Sequence, residues 1–208
     1  MLFASHQTME IYLIRHTTPQ IDKGTCYGQA DLDVTDSFDQ EAACIKPYLS
    51  PLIEKVISSP LQRCSKLAQY LFPSHTIQYD DRIKEIHCGE WELQPWDVID
   101  KQQLDPWMAD FINVQIPGGE SYVQLYQRVA SFFEEVVQKY SSLAIVAHGG
   151  VIRSLLAYIN EVKLRDSFGQ FSFSYGCVIK VHGTNEQFRH TILHNPDRPK
   201  EQHRPASY

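Results

Sequence analysis

Arg15 and His16 close a short apolar run, Ile11, Tyr12, Leu13 and Ile14, and Thr17, Thr18 and Pro19 follow them. That pattern predicts a buried strand that stops abruptly with a cation and an imidazole at its end. The same arrangement returns late in the chain, where Leu143 to Ala147 is fully apolar and His148, Gly149 and Gly150 come next. Between the two, Lys55, Val56 and Ile57 predict another short strand, followed by Ser58, Ser59, Pro60 and, in the opening turn of a helix, Arg63. Ligands of open α/β sheets bind beyond the C-terminal strand ends, so parallel strands would bring Arg15, His16, Arg63 and His148 together. Two guanidiniums, helix N-terminal amides and a second histidine match a phosphate dianion. The planar forks take its oxygens, and their field stabilises the charge spread over them during transfer. A cation in the first turn of a helix is itself unfavourable there unless something negative sits beside it, and a phosphate meets that requirement. His16 is then the natural nucleophile: a neutral imidazole attacks phosphorus, water later hydrolyses the phosphohistidine, and an acid protonates the departing alcohol oxygen. Glu85, Glu90 and Glu92, beside His87, Gly89 and Trp91, are the candidates for that acid.

These residues need a scaffold, and the hydrophobic pattern supplies one. Pro19 to Val34 has no apolar period and predicts a long loop in which Tyr27, Gly28 and Gln29 face a ligand, Gly28 letting the backbone come close. Phe38, Ala42, Ile45 and Leu49 predict a helix over 37–49 ended by Pro51, and Pro60 suits the first turn of a helix running towards Phe72. A strand is expected at Thr76 to Tyr79, and one or two short helices, placed over the site, between Pro95 and Asp110. Apolar residues hold a helical period from Ser121 to Tyr140, and a further helix follows Gly150 through Val151, Leu155 and Ile159. Alternation through Phe171, Phe173, Tyr175 and Cys177, then Val178 to Val181 and Phe188 to Leu193, predicts closing strands. Strand alternating with helix implies an α/β fold, a three-layer αβα sandwich with a mainly parallel sheet. We expect a single domain over 9–194, with a small helical lid at about 92–120 and a polar tail over 195–208.

Composition narrows the partners. A net charge of −6 with no long Lys/Arg cluster argues against nucleic acid, and no apolar run approaches the length of a membrane span. The five cysteines include no CxxC pair, and the leader over 1–8 lacks a basic segment and an apolar core. A reducing cytoplasm is the expected compartment, with Met9 a candidate native start. His190 and His194 stand four apart, but no third ligand is near them, so no metal site is expected.

Four ordered motifs together resemble the histidine phosphatase superfamily, also called the phosphoglycerate mutase family. Its Arg-His-Gly opening is similar to Arg15, His16, Thr17, and its Ser-Ser-Pro-x-x-Arg segment to Ser58 through Arg63. Its late His-Gly-Gly matches His148, Gly149, Gly150, and its Glu-x-x-x-Gly-x-Trp-Glu segment matches Glu85, Gly89, Trp91 and Glu92. The resemblance implies a phosphoglycerate mutase-like fold, His16 as the phosphorylated residue, Arg15, Arg63 and His148 on the phosphoryl group, Glu85 rather than Glu90 as proton donor, and no cofactor. Thr17 departs from the family's Gly, and the usual Glu-Thr-x-x-Asn continuation is absent. The Cys26 to Gln29 loop is a candidate replacement for the lost contacts, and Gly149 is a further candidate substrate-binding residue. The run Gly24, Thr25, Cys26, Tyr27, Gly28 resembles the α-ribazole phosphatase branch. The implied activity is hydrolysis of a small phosphate ester, α-ribazole 5'-phosphate in cobalamin biosynthesis, with Tyr27, Trp91, Trp96 and Trp107 available to stack on its ring. A broad phosphatase, a phosphoglycerate mutase and a catalytically silent phosphate binder are the alternatives.

Overall fold

The computed structural model describes residues 8–184 and 187–197; the expected leader and most of the expected tail lie outside the described residues. Six strands form one sheet in the order β3-β2-β4-β1-β5-β6. They are β1 (Met9–Arg15), β2 (Lys55–Ser58), β3 (Ile77–Tyr79), β4 (Ser142–Ala147), β5 (Val178–Thr184) and β6 (Gln187–His194). β1, β2, β3 and β4 run parallel, whereas β5 pairs antiparallel with both β1 and β6. The expected mainly parallel α/β architecture is therefore present.

The apolar runs of β1 and β4 are continuous because both sheet faces are covered. Ile11 and Leu13 pack with Leu143 and Ile145 against α4 (Tyr122–Lys139) and α5 (Gly149–Ile159). Tyr12 and Ile14 turn the other way, with Ala144 and Val146, onto α1 (Phe38–Ile45) and α2 (Gln62–Leu71). Period-two side chains thus serve two helical layers, each buried Leu or Ile contributing about 1.5–3 kcal/mol. α4 starts at a capping box: the Ser121 hydroxyl accepts from the Gln124 amide, and the Gln124 side chain accepts from the Ser121 amide.

Several expected boundaries move, each for a physical reason. α1 ends at Ile45, not near Pro51, because Pro47 offers no N–H to continue the ladder and Lys46–Tyr48 tightens into a 3-10 turn. Pro60 precedes the N-cap residue Leu61, so it stands outside α2, and Arg63 is the second helical residue. Between Pro95 and Asp110 lie a 3-10 turn, Trp96–Val98, and α3 (Lys101–Ala109). A sixth helix, α6 (Leu164–Gln170), was not expected. Phe171 to Cys177 is not a strand: Gly176 takes φ +74°, outside extended geometry. The alternation there comes from Phe173 and Tyr175 turning inward, both buried, rather than from sheet pairing. His190 and His194 lie on β6, where four residues span about 13 Å. His190 Nδ1 lies 3.0 Å from Asn160 Oδ1 and the His194 ring stacks on Tyr48. Among the described residues no cluster of three or more metal-ligating side chains occurs, and no helix is long and apolar enough to cross a membrane.

Candidate active site

The register of the parallel strands levels their C-terminal ends. Arg15 pairs with Ala147 and Ser58 with Val146, while the His16 and Ser59 amides donate to the carbonyls of Ala147 and Val146, each at 3.0 Å. His16 and His148 consequently meet edge to face with ring centroids 5.1 Å apart. His16 is almost fully buried, and its Nδ1 lies 2.7 Å from the Thr17 carbonyl. A carbonyl can only accept, so Nδ1 carries the proton and the lone pair is on Nε2. The segment beyond is held by buried Glu41, whose carboxylate accepts from the Thr18 amide and hydroxyl, each at 2.9 Å, and from the Ser37 hydroxyl at 2.7 Å.

Both guanidiniums are anchored through their outer nitrogens. Arg15 Nη1 donates to the Phe173 carbonyl at 2.8 Å, and Arg63, fully buried, donates from Nη1 to Ala30 O at 2.8 Å and from Nη2 to Gly28 O at 2.6 Å. Those two carbonyls answer the electrostatic objection to a cation at the start of α2. Arg15 lies 4.1 Å over the Tyr175 ring and Arg63 5.5 Å from that of Tyr27, and the two tyrosine hydroxyls are 2.6 Å apart. The Nε donor of each arginine is buried with no partner, which suits an anion between them. At Gly149 a Cβ would stand 3.4 Å from Arg15 Cζ, so the bare backbone is what brings the N-terminus of α5 against that guanidinium.

His148 is fully buried, with Nε2 2.8 Å from Ser59 Oγ and 3.4 Å from Cys64 Sγ. Burial first, then the positive Arg63 and the neighbouring His16, hold its pKa well below the usual histidine value, so it stands neutral. Burial likewise raises the Tyr27 phenol well above its ordinary range, keeping the proton on the hydroxyl.

Of the three carboxylates, Glu85 lines the cleft above the histidines, Glu90 is exposed, and Glu92 is spent on structure. Glu85 Oε2 accepts from the Gly150 amide at 3.0 Å and Oε1 from the Ile86 amide at 2.9 Å. Glu92 gathers the amides of Gly28, Gln29, Ala30 and Cys88 at 2.7–3.1 Å. That work places Gly28 and Gln29 outside the cleft lining, unlike the expected contact with a ligand. The Gly28 carbonyl instead seats Arg63, and Gln29 Nε2 donates to the Glu85 carbonyl. Arg15, His16, Tyr27 and Gly149 line the cleft, while Arg63 and His148 are enclosed behind it.

The cleft measures about 540 Å³ and is walled by Trp96, Trp107, Phe111, Phe168 and Phe173, with Arg153 as a further cation. Arg153 is fixed by Nη1 to the carbonyls of Ser167 and Phe171 at 2.6 and 2.8 Å and lies 4.5 Å over the Phe168 ring. Trp91, by contrast, is buried in a small cluster with Cys26, Cys88 and Ile116. Sequence reasoning missed Tyr175, hidden in the stretch taken for a strand, and Arg128 and Arg153, which look like ordinary polar positions of amphipathic helices.

An αβα sandwich that sets two histidines beside two guanidiniums, one of them fully buried, at the ends of parallel strands defines a class of α/β proteins with a cationic strand-end site. Within that class the chain belongs to the histidine phosphatase superfamily, branch 1, whose family pattern matches residues 11–196. It is 27% identical over 181 residues to phosphoserine phosphatase 1 of Hydrogenobacter thermophilus, covering 82% of this chain and 86% of that one. It is 26% identical over 164 residues to a glucosyl-3-phosphoglycerate phosphatase of Mycolicibacterium vanbaalenii, covering 71% and 72%. The fold superposes on the crystal structure of the alpha-ribazole phosphatase from Shigella flexneri with a TM-score of 0.81 and 23% identity, over 89% of this chain and 96% of that one.

Proposed function

We propose that the protein is a metal-independent phosphomonoesterase acting through a phosphohistidine at His16. The observation that carries this is the Nδ1 contact of His16 with the Thr17 carbonyl, which puts the imidazole proton on Nδ1 and the lone pair on Nε2, beside a neutral histidine. In the first step Nε2 forms a bond to phosphorus as the ester P–O bond breaks, and protonated Glu85 gives its proton to the departing alkoxide oxygen. In the second step Glu85, now a carboxylate, takes a proton from the water that attacks the phosphohistidine, and inorganic phosphate leaves. Arg15, Arg63 and His148 hold the phosphoryl oxygens throughout and supply the field that stabilises their charge.

For the substrate, the aromatic wall of Trp96, Trp107 and Phe111 supports an ester with a flat apolar body, α-ribazole 5'-phosphate before all others. The Gly24 to Gly28 run and the fold likeness to an alpha-ribazole phosphatase lend support. A second reading, phosphoserine, rests on Arg153, whose guanidinium suits a carboxylate, and on the name of the Hydrogenobacter relative. 3-Phosphoglycerate carries the same phosphate and carboxylate as phosphoserine, so Arg153 does not separate the two, and the substrate comparison below does.

Two measurements test the proposal. An alkaline denaturing quench during turnover of labelled ester should trap phosphate on His16 that later acid treatment releases, and none in His16→Ala, with turnover indifferent to chelator. Binding without any trapped phosphoryl group would point to a silent phosphate binder. On one preparation, kcat/KM for α-ribazole phosphate should exceed that for phosphoserine, 3-phosphoglycerate, ribose 5-phosphate and p-nitrophenyl phosphate. A flat profile leaves the chemistry standing and removes the cobalamin assignment.

A further inference from the structure

Arg128 stands on α4, outside the cleft lining, yet its fork closes on the segment that carries the candidate acid. Nη1 donates to the carbonyls of Arg82 and Lys84 at 2.7 Å each, and Nη2 donates to the carbonyl of Glu85 at 2.8 Å. Nε and Nη2 also donate to the two oxygens of Glu120 at 2.8 Å, and Glu120 in turn accepts from the His87 amide at 2.9 Å. On the opposite side Gln29 Nε2 reaches the same Glu85 carbonyl at 3.0 Å. The main chain of Glu85 is thus clamped between a helix and the loop that seats Arg63, while its carboxyl faces the cleft.

We infer that Arg128 is a positioning residue for proton transfer: it fixes the Glu85 backbone so that the carboxyl meets the leaving oxygen. This rests on Glu85 being the acid of the proposed phosphatase. A carboxyl at the end of a flexible stem inherits any drift of its Cα, and misplacement by about 1 Å costs on the order of 100-fold in rate. Only esters whose leaving group needs a proton feel that loss. A merely structural role would slow all esters alike, so the leaving group separates the two.

The experiment compares kcat/KM for ribose 5-phosphate, an alkyl ester, with that for p-nitrophenyl phosphate, whose leaving group departs without help. Arg128→Leu should lose about 10- to 100-fold on the alkyl ester and about threefold or less on the aryl ester. Arg128→Lys should recover only part of the loss, because one ammonium cannot span three carbonyls and a carboxylate. Gln29→Leu, which removes the second donor to the same carbonyl and leaves Glu120 paired, should show the same selectivity at smaller size and decides the matter if Arg128→Leu fails to fold. Glu85→Gln is the reference. Equal losses on both esters in Glu85→Gln would remove the acid assignment and this inference with it. A selective loss in Glu85→Gln but equal losses, or none, in the Arg128 and Gln29 variants would keep the acid and overturn the positioning role.

Discussion

His148 enters the site without charge, and this sets how the free protein responds to acid. Its imidazole is fully enclosed beside Arg63 and His16, so its folded pKa lies well below the 6.5 of an unperturbed histidine. Below about pH 6.5 the unfolded chain binds a proton that the folded chain refuses, and stability declines as pH falls towards the folded pKa; above that window the group contributes no slope. One such histidine gives a slope approaching about 1.4 kcal/mol per pH unit. His190, also lowered by partial burial, acts in the same direction, so a difference measurement is needed. Urea denaturation of wild type and His148→Gln between about pH 5 and about pH 8 should show the wild-type decline flattened in the variant. Parallel curves would mean that His148 carries its proton in the fold. At this scale the sequence was a good guide to the placement of Arg15, His16, Arg63 and His148, because each stands at or just beyond a strand whose end is marked by polar or glycine residues. It was a poor guide to Tyr27 and Tyr175 as a hydroxyl pair, since no local pattern links residues 148 apart.

Between the strands, the loop over 24–31 works largely through backbone groups, and the close backbone approach expected at Gly28 is made to Ile86 and Arg63. Gly28 is where it meets Ile86: an added Cβ would stand 1.8 Å from the Ile86 carbonyl oxygen, a backbone atom that cannot swing aside. Gly28→Ala should therefore push apart the loop and the Glu85 segment, destabilise by about 1–3 kcal/mol, and weaken inorganic phosphate inhibition by loosening the Gly28 carbonyl that seats Arg63. Gly169→Ala is the control, because nothing lies within 4 Å of its added Cβ and helix α6 should gain about 0.5–1 kcal/mol. Thermal melts and phosphate inhibition of the two variants check this; a Gly28→Ala protein that melts and binds like wild type would show that the loop yields freely. The elements that were legible, β1, β4, α4 and α5, have long unbroken periods set by burial on both sheet faces or on one helix face. Those misjudged had competing signals: Pro47 inside an apolar period, and Phe173 and Tyr175 alternating for the sake of the site rather than of a sheet.

Across the whole molecule, the cleft is assembled from stretches that are remote in sequence. The parallel strand ends supply the proposed phosphoryl pocket, the Trp96 to Ile116 region one aromatic wall, and Phe168 and Phe173 the other, with Arg153 fixed beside the last two. No local window of sequence holds that juxtaposition, which is why aromatic residues alone could only suggest a ring-shaped alcohol. Arg153 decides between the two substrate readings because it is a cation set against apolar rings. A carboxylate held by its guanidinium would be a charge-assisted contact, worth about 1.5–3 kcal/mol and hence about 10- to 100-fold in kcat/KM. A neutral benzimidazole riboside gains little from the charge and depends on the rings. Arg153→Met keeps the length and apolar stem while removing the fork, and its cost to the tethers on Ser167 and Phe171 is read separately from the thermal melt and from p-nitrophenyl phosphate turnover. With that correction, the variant should lose about 10-fold or more on phosphoserine and stay within about threefold on α-ribazole phosphate. The opposite pattern, a large loss on α-ribazole phosphate with phosphoserine spared, would show that Arg153 grips the riboside and that the aromatic wall is not what selects the substrate.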